Sequence, residues 1–148
     1  MLYERDGRRR VEWRDIVGAT KITAGPDGSA WMLVEGGAGL VRLDARGGAL
    51  QVGLPFEQAT AVKVDRRSGQ CWVAGKQDIA AFSPDGSLLR HWRDAPDVID
   101  LAVDGDKEQV WLATGGAVWK FSFAGENLAR LTGFSTPFLA EIGSGISQ

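Results

Sequence analysis

A chain of 148 residues with 44% hydrophobic and 24% charged side chains can bury a substantial core, as folded soluble domains do. Its formal net charge of −2 and pI near 5.4 exclude a global attraction to nucleic acid or to acidic membranes. A single cysteine, Cys71, excludes an intrachain disulfide and a zinc site of the Cys-cluster kind.

In chain order, the first ten residues are charged and contain no apolar signal segment, so the default location is the cytoplasm. No stretch approaches the roughly 20 apolar residues of a membrane span. Arg5, Arg8, Arg9 and Arg10 read as a charged edge strand that resists sheet-to-sheet pairing. The twenty glycines are about twice average usage, and many fall in polar clusters between short apolar runs. That is the punctuation of many strands joined by tight turns.

Three segments align with one another: Ile22 to Val52, Val62 to Trp92 and Leu101 to Leu131. Trp31, Trp72 and Trp111 hold the same place at spacings of 41 and 39 residues, and Gly47, Gly86 and Gly125 keep a second register at 39 and 39. Two markers with one period signal duplication. Each unit divides into four short strands. The first is typified by Val62–Val64, the second by Trp31–Val34, the third by Ile79–Phe82 and the fourth by Leu88–Trp92. Turns such as Pro26-Asp27-Gly28 and Pro84-Asp85-Gly86 separate them, which fits antiparallel meanders rather than helices. In the second strand both alternating faces are apolar, so the sheet expects cover on both sides. Four-stranded sheets stacked around an axis, as in a β-propeller, provide it.

The expected fold is therefore all-β: a β-propeller with three complete antiparallel blades at residues 20–54, 60–93 and 99–132. Tyr3, Gly7 and Trp13 continue the period backwards, so residues 1–15 read as an outer half-blade. Leu139-Ala140 continues it forwards, so residues 134–148 read as the first strand of an incomplete blade. Incomplete blades leave strand edges that recruit other chains. The expectation is thus a fragment of a larger ring or a homo-oligomer closed through these ends.

Gly25-Pro26-Asp27-Gly28-Ser29-Ala30-Trp31, followed by Glu35 and Val41-Arg42-Leu43-Asp44, resembles a blade of the streptogramin-lyase-like propellers. Val62 to Gly75 and Leu101 to Gly115 are similar to NHL-type repeats. The resemblance implies blade architecture over nearly the whole chain. Lyase-type relatives use histidine and a metal-linked carboxylate near the central channel, and lactonase-like ones hold a divalent metal there. The one histidine here, His91, falls in a fourth, outer strand and reads as structural or surface, and no full ligand set matches.

No catalytic residue, metal site or cofactor is therefore expected. Propeller ligands commonly bind at the rim formed by the second-to-third-strand loops and the links between blades. Here those segments supply Glu35, Lys76, Gln77 and Asp78, with Glu57 and Gln58 in one link and Asp94 and Asp97 in another. Asp104-Gly105-Asp106-Lys107-Glu108 reads as a turn rather than a cation loop, because it lacks the rest of an EF-hand. Of the six tryptophans only Trp119 interrupts a third strand without a counterpart. The expected function is a non-catalytic scaffold for a protein or small-molecule partner. The alternative is a lyase- or lactonase-like enzyme whose site needs further blades or a second chain.

Overall fold

The computed structural model describes residues 18–93 and 95–132. The half-blade expected at residues 1–15 and the strand expected at 134–148 lie outside the described residues, as does Asp94.

The first sheet runs β1 (Lys21–Ala24), β2 (Ala30–Val34), β3 (Gly39–Leu43) and β4 (Ala49–Val52), paired in that order and antiparallel. The second holds β5 (Ala59–Val64), β6 (Cys71–Gly75), β7 (Ile79–Phe82) and β8 (Leu88–Trp92). The third holds β9 (Asp100–Asp104), β10 (Gln109–Ala113), β11 (Ala117–Ser122) and β12 (Asn127–Thr132). The first strand of each sheet lies against the first strand of the next, β1 by β5 and β5 by β9, so the sheets fan out from one side. Among the described residues no helix is long and apolar enough to cross a membrane.

Strand alternation decides which side chains seal the sheets together. Trp31, Leu33 and Leu40 of the first sheet bury against Val62, Val64, Cys71, Val73, Ala80 and Phe82 of the second. The opposite face of the second sheet, with Ala61, Trp72, Ala74, Ile79 and Ala81, buries against Leu101, Val110, Leu112 and Phe123. The two indoles anchor these interfaces. Trp31 is 1% exposed with the Phe82 ring 6.2 Å away, and Trp72 is 0% exposed between Phe123 at 4.8 Å and Trp92 at 5.5 Å. Cys71 is fully buried, and desolvation raises its thiol well above the ordinary value, which leaves it an inert core residue.

Trp111 holds the same register but is only half-buried, and the Lys120 ammonium sits 5.0 Å above its ring. Among the described residues no sheet lies beyond it. Truncating a sealed indole removes its transfer energy and leaves a cavity. Trp72→Ala should therefore cost about 3–5 kcal/mol in urea denaturation, and Trp111→Ala less than about half of that. Equal losses would show that the two faces are sealed alike.

The turns opposite the inter-sheet links are held by carboxylates. Asp27 accepts from the Ser29 hydroxyl and from Ser29 N–H at 3.1 Å, Asp44 accepts from Gly48 and Arg46 N–H at 2.8 Å each, and Asp85 accepts from the Ser83 hydroxyl and from Ser87 N–H at 3.2 Å. The first-named bond in each set is the main cause that lowers these carboxyls below the ordinary value of 3.8, Gly48 N–H for Asp44. A lowered folded pKa adds stability that is complete above the unfolded value and lost as pH falls through the folded one. The melting temperature should accordingly fall as pH drops below 3.8. A triple variant with Asn at Asp27, Asp44 and Asp85 should start lower and fall less steeply, whereas an unchanged slope would mean that these turns carry no such linkage.

Candidate functional site

The links between sheets are stitched to the turns beside them. Residues 53–58 join β4 to β5, and the Gln58 side-chain amide donates to Gly36 O at 2.8 Å in the 3-10 turn Glu35–Gly37. Residues 93–99 join β8 to β9, with Ala95 N–H donating to Gln77 O at 2.9 Å and Val98 N–H to Gly75 O at 3.3 Å. The Thr60 hydroxyl also donates to Val98 O, which ties the second sheet to the second link.

Glycine permits this closeness. A Cβ on Gly75 would collide with Gln58 O and press on the Phe56 ring, and one on Gly37 would collide with Ala59 O. Gly37 also has φ +99°, a region that L side chains rarely adopt. These two turn glycines let the backbone link lie directly on the rim.

Beneath the first link lies an open cleft of about 450 Å³ lined by Pro55, Phe56, Glu57, Gln58, Lys76, Asp78, His91 and Arg93. The structure thus brings together Glu57, Gln58, Lys76 and Asp78 of the residues expected at the rim. Glu35, exposed at φ +52°, and Asp97, exposed in the second link, do not line the cleft. Gln77, at φ +64°, contributes its carbonyl to the stitch to Ala95.

His91 is the residue that sequence reasoning left out. It does lie in a fourth strand, paired with Ala80, but it also forms a wall of the cleft. Its Nε2 is 2.8 Å from Asp78 Oδ1, its side chain is 14% exposed, and its ring packs 5.9 Å from Phe56. The cause is a bulge. Phe82 pairs with Leu88, but past an irregularity Ala81 pairs with Arg90, so β8 is displaced by one residue against β7. A one-residue slip turns every following side chain to the other face. It places His91 on the Asp78 and Ala80 face, under the link, rather than on the face of Trp72. Counting the register from the Pro84-Asp85-Gly86 turn without the bulge gives the opposite face.

The charges of the cleft divide into satisfied and unsatisfied. Asp78 and His91 satisfy each other. Among the described residues, Glu57, Lys76 and Arg93 have no hydrogen-bond or ion-pair partner, although all three are exposed. Both signs of charge therefore face one cleft beside two rings tilted against each other.

The third sheet fills the corresponding place differently. Trp119 pairs with Arg130 where Ala80 pairs with His91. The Trp119 ring stacks on Phe121 at 6.0 Å and carries the Arg130 guanidinium 4.8 Å above it. The tryptophan without a counterpart thus stands, half-buried, at the register position that Ala80 holds in the second sheet.

At the opposite rim, Asp65 is 3% exposed, accepts from Ser68 Oγ at 2.6 Å and from Arg67 N–H at 3.1 Å, and closes a turn. Asp104 accepts from Lys107 N–H at 3.3 Å in the equivalent turn, and Asp106 pairs with Arg67 at 3.1 Å in the open. Such an exposed pair contributes little. Among the described residues no group of three or more His, Cys, Asp or Glu side chains converges.

No family model matches the chain, and no curated protein matches it in sequence. Solved structures do match in shape. Hydrazine synthase of Kuenenia stuttgartiensis superposes with a TM-score of 0.68 at 16% identity over 82% of this chain and 38% of its own. Virginiamycin B lyase from Staphylococcus aureus gives 0.64 at 17% identity, over 81% of this chain and 42% of its own. Both the streptogramin B lyase fold and the gluconolactonase fold are β-propellers. The chain has the β-propeller fold. A gluconolactonase from Xanthomonas campestris agrees, with a TM-score of 0.62 at 18% identity over 79% of this chain and 41% of its own. The chain therefore spans about two fifths of the length of these propellers, and the expected streptogramin-lyase-like resemblance holds at the level of fold.

Gly75 is a point where the first link lies directly against the rim beside the cleft. Gly75→Ala should displace the link over Phe56–Gln58 and cost about 1–3 kcal/mol, the usual penalty of overpacking, measured by urea denaturation. A variant as stable as the parent would show that the link moves aside freely.

Proposed function

We propose that this chain is a non-catalytic binding scaffold of NHL-type blades, with a small polar ligand held in the rim cleft under the first inter-blade link. The observation that carries the reading is the cleft's composition. Charges of both signs that have no partner among the described residues, Glu57, Lys76 and Arg93, face a space of about 450 Å³ walled by Phe56 and His91. Ligand sites are concave, largely preformed and lined by aromatic surface with a few polar groups that set orientation. The stitching of both links to the rim supplies the preformed geometry, and binding to a fixed cleft avoids the cost of ordering it.

The His91–Asp78 pair fits a positioning part in such a site. The carboxylate holds the imidazole upright against Phe56, so the wall keeps one shape. The neighbours in shape include enzymes named as a lyase and a lactonase, which makes catalysis the rival reading.

A set of small polar fragments, observed by amide chemical shifts of the labelled chain, tests both. Binders should perturb residues 55–58 and 75–78 together and be recovered with unchanged mass. Fragments that perturb only other surfaces would remove the cleft as the site. Chemical conversion of a bound fragment would remove the non-catalytic reading.

A further inference from the structure

The cleft's unpaired charges specify a ligand class, an inference that rests on the rim-binding reading above. We infer that the cleft recognises a small zwitterion bearing an apolar or aromatic body, of the size of a free amino acid or a short peptide. Three features of the lining converge on this chemistry.

Lys76 and Arg93 enter from the β6–β7 turn and from the end of β8, both lining the cleft, and neither meets a carboxylate among the described residues. Extending the β7–β8 register beyond Ala80–His91 and Ile79–Trp92 sets Arg93 across from Asp78, so strand geometry itself carries this cation to the rim. Two such cations suit a carboxylate, and an arginine can hold it by two parallel hydrogen bonds.

Glu57 enters from the link that roofs the cleft, and it too has no partner among the described residues. An anion alone would leave Glu57 facing like charge, which opposes binding. A ligand that also carries an ammonium gives Glu57 an opposite charge and turns that penalty into a contact. The other carboxylate, Asp78, is already engaged by His91 through Oδ1. The same lining carries an apolar wall, where the Phe56 and His91 rings stand 5.9 Å apart. A volume of about 450 Å³ falls within the usual range of small-ligand pockets.

The same position in the third sheet offers no such site. Ala117 stands where Asp78 does, and Trp119 pairs with Arg130 where Ala80 pairs with His91.

Three probes that differ only in charge test the inference by calorimetry on the full chain: L-phenylalanine, 3-phenylpropionate and phenethylamine. L-Phenylalanine should bind roughly tenfold tighter than either analogue, because each analogue leaves one charged contact unmade. Glu57→Gln should abolish the preference over phenylpropionate without weakening phenylpropionate itself. Lys76→Met combined with Arg93→Met should abolish the preference over phenethylamine. All three side chains are exposed, so these variants keep the fold, which an unchanged melting temperature verifies.

Equal binding of phenylpropionate and L-phenylalanine would overturn the zwitterion in favour of a simple anion, with the rim reading intact. Equal binding of phenethylamine would overturn it in favour of a cation. Binding by none of the three would also overturn it, and the rim reading would then be decided by the fragment perturbations at residues 55–58 and 75–78 alone.

Discussion

The sealed indole of Trp72 between the second and third sheets is the contact on which the described architecture turns. A four-stranded antiparallel sheet ordinarily buries one face and wets the other. Here the second sheet buries both, with Trp72, Ala74 and Ile79 on one side and Val62, Val73 and Phe82 on the other. Neither face can be left open without exposing a continuous apolar surface, so each sheet requires a neighbour. This demand sets the distance between sheets, and with it the length of the links that cross from one to the next.

Short links over a close-packed stack leave little room at the rim. Gly37 and Gly75 resolve that crowding by presenting no Cβ to the link backbone. The link therefore lies close against the rim at those two points, and the cleft opens beneath it. Its charged residues lie where water can reach them, which is the only place a propeller tolerates unpaired ions. A lysine or glutamate between the sheets would face a desolvation cost that no partner there offsets. Burial and binding are thus divided along each strand: apolar side chains in its middle, chemistry at its end.

This division also explains what the amino-acid pattern disclosed in advance. The tryptophan and glycine registers predicted four-stranded units, because packing and tight turns impose strong, repeated demands on residue type. Loop position was enough to nominate Glu57, Gln58, Lys76 and Asp78, which the cleft gathers. It was not enough to separate them from Glu35 and Asp97, since only the course of the link decides which turn it covers. His91 was assigned its strand but not its face. The bulge between Ala81 and Phe82 that turns it toward Phe56 has no strict residue signature, and β3 and β4 pair without one from Leu40–Val52 to Leu43–Ala49. Trp119 was conspicuous for an interrupted pattern, and it stands half-buried between the Phe121 ring and the Arg130 guanidinium.

The residue opposite each repeated tryptophan shows how a further interface could be built with the same parts. Arg42 faces Trp31, Ala81 faces Trp72 and Lys120 faces Trp111. In the tightest interface the partner is small, and Ala81 leaves space for the Phe123 ring against the indole. In the first interface the partner is a cation, yet Trp31 is still sealed, because Arg42 carries its charge outward to Asp27 at 3.2 Å. Lys120 has a comparably long apolar stem and at present rests its ammonium over the Trp111 ring. Long cationic side chains can cover apolar surface while keeping the charge in water. A cation in this register therefore does not bar a sheet from packing on Trp111. It requires that the sheet leave the ammonium an exit to the rim, as the second sheet leaves one for Arg42.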